Sequence, residues 1–183
     1  MAMPASAHTY WTPAAVLAEF PESNHTRHEC VDGELLVSPV PRVAHELVVT
    51  ELCALFVECV GRRRALRALA DLRLTADSLV QPDVFVLEHA LVGRAQWAEV
   101  PRPLVIIEVL SPSTALADRG RKRRLYQRSG VPEYWIVDFD ARCIERWTPE
   151  AYSPDVRRNR IAWTDPVSGA TVDIDLPAFF ASV

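Results

Sequence analysis

Apolar positions recur along the chain at two spacings, and each spacing predicts an element. From Val43 to Val60, "VAHELVVTELCALFVECV", they fall at helical intervals and stop at Gly61, which predicts a helix with a glycine C-cap. "TPAAVLAEF" places Thr12 as N-cap and Pro13 at the first position of a shorter helix. "ECVDGELLVS" sets strand formers on either side of Asp32-Gly33, a primed-turn pair, and predicts a hairpin. "LADLRLTA" alternates like a strand. "PDVFVLE", Pro82 to Glu88, reads as the next one, with Pro82 at its start, where a missing N–H is tolerated. Gly93 to Pro103 reads as a loop, Leu104 to Leu110 as a central buried strand, and about Leu116 to Ser129 as a helix ended by Gly130. "EYWIVDF", "RCIERWT", "RIAWT" and "TVDIDL" add further β structure. From residue 43 the predicted order is helix, three strands, helix, strand: a mixed α/β domain around one sheet.

One residue violates this pattern. In "LVIIEVLSPST", residues 104 to 114, Glu108 lies inside a run with the length and Val/Ile content of a buried strand. An ionised carboxylate buried without a partner costs several kcal/mol or takes up a proton. Asp83 opens the "PDVFVLE" strand in similarly apolar company. If the two strands are neighbours, their backbones lie about 4.8 Å apart. Two negative charges about 4 Å apart then repel by roughly 4 kcal/mol at an effective dielectric of 20. A bound hard cation such as magnesium offsets that repulsion, and so does a shared proton. The plainer reading puts each acid at a strand end, solvated or salt-bridged.

The following helix sharpens the choice. Residues three and four apart share a helix face, so Asp118, Lys122, Leu125 and Tyr126 line one side. Leu125 and Tyr126 should turn that side toward the sheet and carry Lys122 inward, while Arg121, Arg124 and Arg128 form a more exposed neighbouring stripe. An inward lysine needs an anion, and Glu108 and Asp83 are candidates. Alternatively, its stem packs while its ammonium reaches water.

Composition changes this picture little. The chain has 183 residues, 49% hydrophobic and 24% charged, which suits one soluble globular domain with a sizeable core. The net charge of −4 does not advertise a nucleic-acid binder, but it hides local basic runs. "RGRKRRLYQR", Arg119 to Arg128, holds five arginines and one lysine with no acid, and "RRRALR" and "RRNR" are two more such runs. No apolar run approaches the roughly 18 residues that span a membrane. "MAMPASAHTYWTP" has neither the basic nor the apolar region of a signal peptide, so the expected compartment is the cytoplasm. Cys30, Cys53, Cys59 and Cys143 form no metal-binding or redox pattern and read as free thiols.

"QPDVFVLE", "PLVIIEVLSPST" and "DRGRKRRLYQRSGVPEYWIVD", in that order, resemble the bacterial Uma-two family of restriction-endonuclease-like proteins, part of the PD-(D/E)XK nuclease superfamily. "DGELLVSPVPRVAHELVV" matches the family's N-terminal pattern, so the resemblance runs from about Glu29 to about Trp147. It implies a single domain over residues 1–183 with its core at about 43–140. The implied fold is α/β (α+β): a restriction-endonuclease-like central mixed sheet flanked by helices, with extra N- and C-terminal β elements. It further implies a metal-dependent DNA endonuclease using Mg2+ or Mn2+, with no organic cofactor and no membrane attachment. A homodimer is attractive because cutting both strands calls for two active sites.

By the same resemblance, Asp83 and Glu108 would be metal ligands and the Val109 carbonyl a third. The superfamily's usual lysine falls at Leu110, which has no amine, so the catalytic lysine looks relocated to Lys122. Gln81 stands where an arginine is common. His45 matches a recurrent histidine on the first core helix, with packing or hydrogen bonding as strong a reading as catalysis. Asp118 and Tyr126 are further auxiliary candidates, and Arg121, Arg124 and Arg128 would meet the DNA backbone. The competing readings are a nuclease fold kept as a silent DNA-binding or protein-interaction module, and an unrelated phosphoesterase of small substrates.

Overall fold

The structure, a computed structural model, describes residues 10–21, 26–67, 71–91, 100 and 103–183. Thr12 accepts a hydrogen bond from the Ala15 amide and so caps α1 (Pro13–Glu19). β1 (Thr26–Val31) and β2 (Glu34–Pro39) pair antiparallel about Asp32 and Gly33, whose φ angles of 53° and 80° are what a primed turn requires. Gly33 also lies against the Tyr10 ring, where a Cβ would clash. α2 (Val43–Val60) ends as expected at Gly61, whose amide donates to the Val57 carbonyl.

Between α2 and the next helix the described residues form five short strands rather than three. They are β3 (Ala65–Arg67), β4 (Leu72–Thr75), β5 (Ser78–Val80), β6 (Val84–Val86) and β7 (Val105–Val109). The expected strand "LADLRLTA" holds β4, and β5, which the sequence pattern did not predict, pairs with it as a hairpin. β3 sits inside the basic "RRRALR" run, where three residues give too short an apolar pattern to read. Most of the loop expected over residues 93–103 lies outside the described residues.

After β7, α3 (Ala115–Ala117), a π-helical turn (Asp118–Lys122) and α4 (Arg123–Arg128) follow one another without a break. Wider π turns recur at functional sites, and this one carries two buried charged residues, Asp118 and Lys122. The chain continues through β8 (Glu133–Asp138), β9 (Cys143–Trp147), β10 (Asp155–Arg157), β11 (Arg160–Thr164), β12 (Thr171–Asp175) and α5 (Leu176–Ser182).

The central sheet has six strands in the order β10-β9-β8-β7-β6-β3. It is mixed: β7 and β8 run parallel, joined by the helical crossover, and the other pairs are antiparallel. β2-β1-β5-β4 form a second sheet, and β11-β12 a ribbon. Successive strand residues face opposite sides. Val105, Ile107 and Val109 therefore pack with Val48, Val49, Leu52 and Phe56 of α2. Ile106 packs on the other side with Leu125, Tyr126, Tyr134 and Ile136. This is the expected mixed α/β core with extra N- and C-terminal β elements. All four cysteines are free.

Candidate active site

Parity places Glu108 on the Ile106 side of β7, facing the π turn and α4. The β6–β7 ladder ends with Val84 opposite Ile107, and Asp83 and Glu108 are the next residues of the two segments beyond that pair. Both line one cavity. Both acids are buried, at 2% and 3% exposure.

Lys122 reaches the same face and is 3% exposed. Its ammonium lies 2.8 Å from Glu29 Oε2, 3.0 Å from Glu108 Oε1 and 3.6 Å from Asp118 Oδ1. Tyr126 donates its hydroxyl to the same Glu108 oxygen at 2.9 Å. Asp118 Oδ1 is buried with no hydrogen-bond partner among the described residues. Burial lowers the lysine's proton affinity, but the three carboxylates around it outweigh that and hold it well above its usual range. One ammonium shared by three acids satisfies none of them fully. Burial pushes the Glu108 carboxyl well up; Lys122 opposes this, while Asp118, Asp83 and Glu29 reinforce it. Asp118 is raised as well, mainly by burial.

Asp83 has a different environment. Its Oδ1 accepts from Arg27 Nη1 at 2.6 Å, and its Oδ2 accepts from the Val109 amide at 2.9 Å. His45 Nε2, at the start of α2, lies 3.2 Å from Oδ2 and 2.9 Å from the Val109 carbonyl. Both neighbours are acceptors, so Nε2 carries the proton. Burial opposes ionisation of Asp83, but His45, Arg27 and the Val109 amide together bring its pKa down to about 2. His45 is raised: burial disfavours its charged form, and Asp83 more than offsets that.

Arg27, Glu29, His45, Asp83, Glu108 and Lys122 all line one cavity of about 360 Å³. Arg27 and Glu29 are the members that the sequence reading missed. They stand two apart on β1 and so share a face, but they lie among the polar Thr26 and His28 rather than inside an apolar run like that of Glu108. Glu29 is 1% exposed and also accepts from the Gln81 amide. Gln81 takes part through its backbone, while its side chain bonds Asp71. Tyr126 and Asp118 stand behind the cavity as partners of Glu108 and Lys122.

The donor set fits a hard cation in kind and in charge. Four buried carboxylates, Glu29, Asp83, Glu108 and Asp118, face two permanent cations, Lys122 and Arg27. Both contacts of Glu108 fall on Oε1, which leaves Oε2 without a partner among the described residues. An N–H of His45 sits between Asp83 Oδ2 and the Val109 carbonyl, two oxygens of the implied ligand set. Among the described residues no three His, Cys, Asp or Glu side chains are already arranged to hold a metal ion.

The expected Arg121, Arg124 and Arg128 stripe is exposed. Two of its members are tied to the β1–β2 hairpin: Arg121 pairs with Glu34 at 2.5 Å and Arg128 pairs with Asp32. No helix among the described residues is long and apolar enough to cross a membrane.

Comparison with solved structures finds similarity to a crystal structure described as a "putative nuclease belonging to DUF820" from Anabaena variabilis. The two share 19% identity at a TM-score of 0.71, over 91% of this chain and 97% of that one, and this likeness shows the fold. Comparison with curated proteins finds no match. The family model of Uma2, described as "Putative restriction endonuclease", matches residues 15–173. With that match covering most of its length, the chain belongs to the Uma2 family.

Proposed function

We propose that this chain is a divalent-cation-dependent endonuclease that hydrolyses DNA phosphodiester bonds at the cavity between β1, β6 and β7. The observation that carries this reading is Glu108, set in the interior with Asp83, in a cavity whose carboxylates outnumber its cations. The family's description supports the nuclease class. Asp83, Glu108 and the Val109 carbonyl would hold Mg2+ or Mn2+. When bound, such a cation polarises a phosphoryl oxygen and acidifies an attacking water.

The chain's own groups have distinct tasks. Tyr126 and Lys122 fix one Glu108 oxygen and leave the other for the ligand. Lys122 also sets a positive charge at the cavity wall, where negative charge grows on the phosphorus group in the transition state. His45 and the Val109 amide orient Asp83. DNA is the substrate this reading favours, and a homodimer is its assembly, since two strands need two sites.

Arg124 is the member of the basic stripe without an acid partner among the described residues. Arg124→Ala should therefore flatten the salt dependence of DNA binding by about one unit. Arg121→Ala and Arg128→Ala should change it less, because each cation is already partly neutralised. Fluorescence anisotropy over a salt series measures all three.

The nuclease reading is tested with supercoiled plasmid in Mg2+ or Mn2+, beside a chelator control and Glu108→Ala. Nicked and linear products should appear only with the wild-type chain and cation. A second reading, a nuclease fold kept as a DNA-binding or interaction module, is favoured by one observation: both Asp83 oxygens already have protein partners. Intact plasmid with either ion would put that module first.

A further inference from the structure

Arg27 and Arg64 each meet a buried aspartate, and they do so differently. Arg64 engages Asp165 through two nitrogens, at 2.7 and 2.8 Å, and spends its Nε on the Leu87 carbonyl. That is a closed structural clamp. Arg27 uses Nη1 alone, at 2.6 Å from Asp83 Oδ1 and 3.5 Å from the Gln81 carbonyl. Its Nη2 and Nε have no partner among the described residues. A guanidinium carries five N–H donors in a planar fork, so most of this one is unspent. The side chain is 20% exposed and lines the cavity.

Lys122, the buried cation of the cavity, is not comparably free. Lys122 is engaged by Glu29 and Glu108, with Asp118 close by. Arg42 also lines the cavity but is exposed. Planar guanidinium forks match phosphate oxygens, two N–H bonds at a time. Asp83 keeps two other donors, the Val109 amide and His45, if Arg27 leaves it.

We propose that Arg27 is a phosphate-binding residue of this cavity, held on Asp83 in the substrate-free protein and turned to a phosphodiester oxygen when the substrate strand enters. The proposal rests on the nuclease reading above and adds a substrate contact from the β1–β2 hairpin. Asp83 then has two states, bound to Arg27 or released from it. Removing its charge should free the fork without any cation present.

The test is anisotropy of a short fluorescent DNA duplex with the full chain in chelator. Arg27→Gln should weaken binding about tenfold or more, the size expected for loss of a charge-assisted hydrogen bond. Asp83→Asn should tighten binding severalfold, and the double variant Arg27→Gln with Asp83→Asn should show none of that tightening. Arg27→Lys keeps the ion pair with Asp83 but lacks the fork, so it guards against misfolding and should fall between wild type and Arg27→Gln. Circular dichroism melts confirm that each variant is folded. Normal duplex binding by Arg27→Gln overturns the proposal. So does tightening that persists in the double variant, because charge removal alone then explains it. Absence of wild-type binding also overturns it. If the expected pattern holds while plasmid stays intact, cleavage fails as the reading and Arg27 stands. If plasmid is cut while Arg27→Gln binds normally, the reverse follows.

Discussion

Glu108→Gln should abolish cation-dependent cleavage and yet raise the melting temperature of the chain in chelator. Glutamine keeps an oxygen for the Tyr126 hydroxyl, and Lys122 keeps Glu29 at 2.8 Å and Asp118 at 3.6 Å. What disappears is a buried negative charge beside Asp118, Asp83 and Glu29. The pH dependence follows from the sign of the shift. Burial, against the pull of Lys122, lifts the Glu108 carboxyl well above the ordinary 4.5. The folded state thus binds that proton more tightly than the unfolded state does, and wild-type stability falls as pH rises past 4.5 toward the folded value. The gap between variant and wild type should therefore open with rising pH and close in acid. A gain of about 1–3 kcal/mol is the scale for replacing a poorly compensated buried charge, at roughly 2–4 °C per kcal/mol in a chain of this size. Melting curves across pH read it directly. A lower melting temperature for the variant would mean that the chief task of Glu108 is to hold Lys122.

Lys122→Ala should act in the opposite direction and more strongly. It leaves Glu29, Glu108 and Asp118 buried around a missing ammonium. Breaking a buried ion pair from one side costs about 3–5 kcal/mol. The lysine's raised proton affinity keeps its contribution fully present at neutral pH, to be lost only as pH climbs past its ordinary 10.5. In the variant, acid should restore part of the loss by protonating the orphaned carboxylates, so the deficit narrows at low pH. The salt dependence of DNA binding should barely change, because this buried ammonium is already neutralised by Glu29 and Glu108. A fully stable Lys122→Ala that instead loses about one unit of salt slope would make Lys122 a backbone contact.

How much of this was readable depended on the range of the interactions. α2, β7, β8 and the helical run over residues 115–128 stand within a residue or two of their predicted bounds, because their apolar periodicity is local and sustained. The inward turn of Lys122 was readable for the same reason, from the Leu125 and Tyr126 face. β3 and β5 were not, since strands of three residues carry almost no period.

The partners supplied by the hairpin are a matter of tertiary structure. Arg27 meets Asp83 across 56 residues of chain, and Arg128 meets Asp32 across 96. Those meetings depend on β1 docking beside β5, with Cys30 opposite Leu79, a pairing that no local pattern announces. The visible signal was narrower: Arg27 and Glu29 occupy one face of a strand that runs into the buried Cys30 and Val31. Thr26 and His28 make the first half of β1 polar, so the reasoning that singled out Glu108 does not reach Arg27 and Glu29.

The most direct measurement is a calorimetric titration of Mn2+ into the full chain without substrate, beside Asp83→Asn and Glu108→Gln. We expect the wild type to show one saturable site, and each variant to lose most of its affinity while remaining folded. Indistinguishable Mn2+ isotherms for wild type and Glu108→Gln would contradict the central claim that Asp83 and Glu108 share a cation.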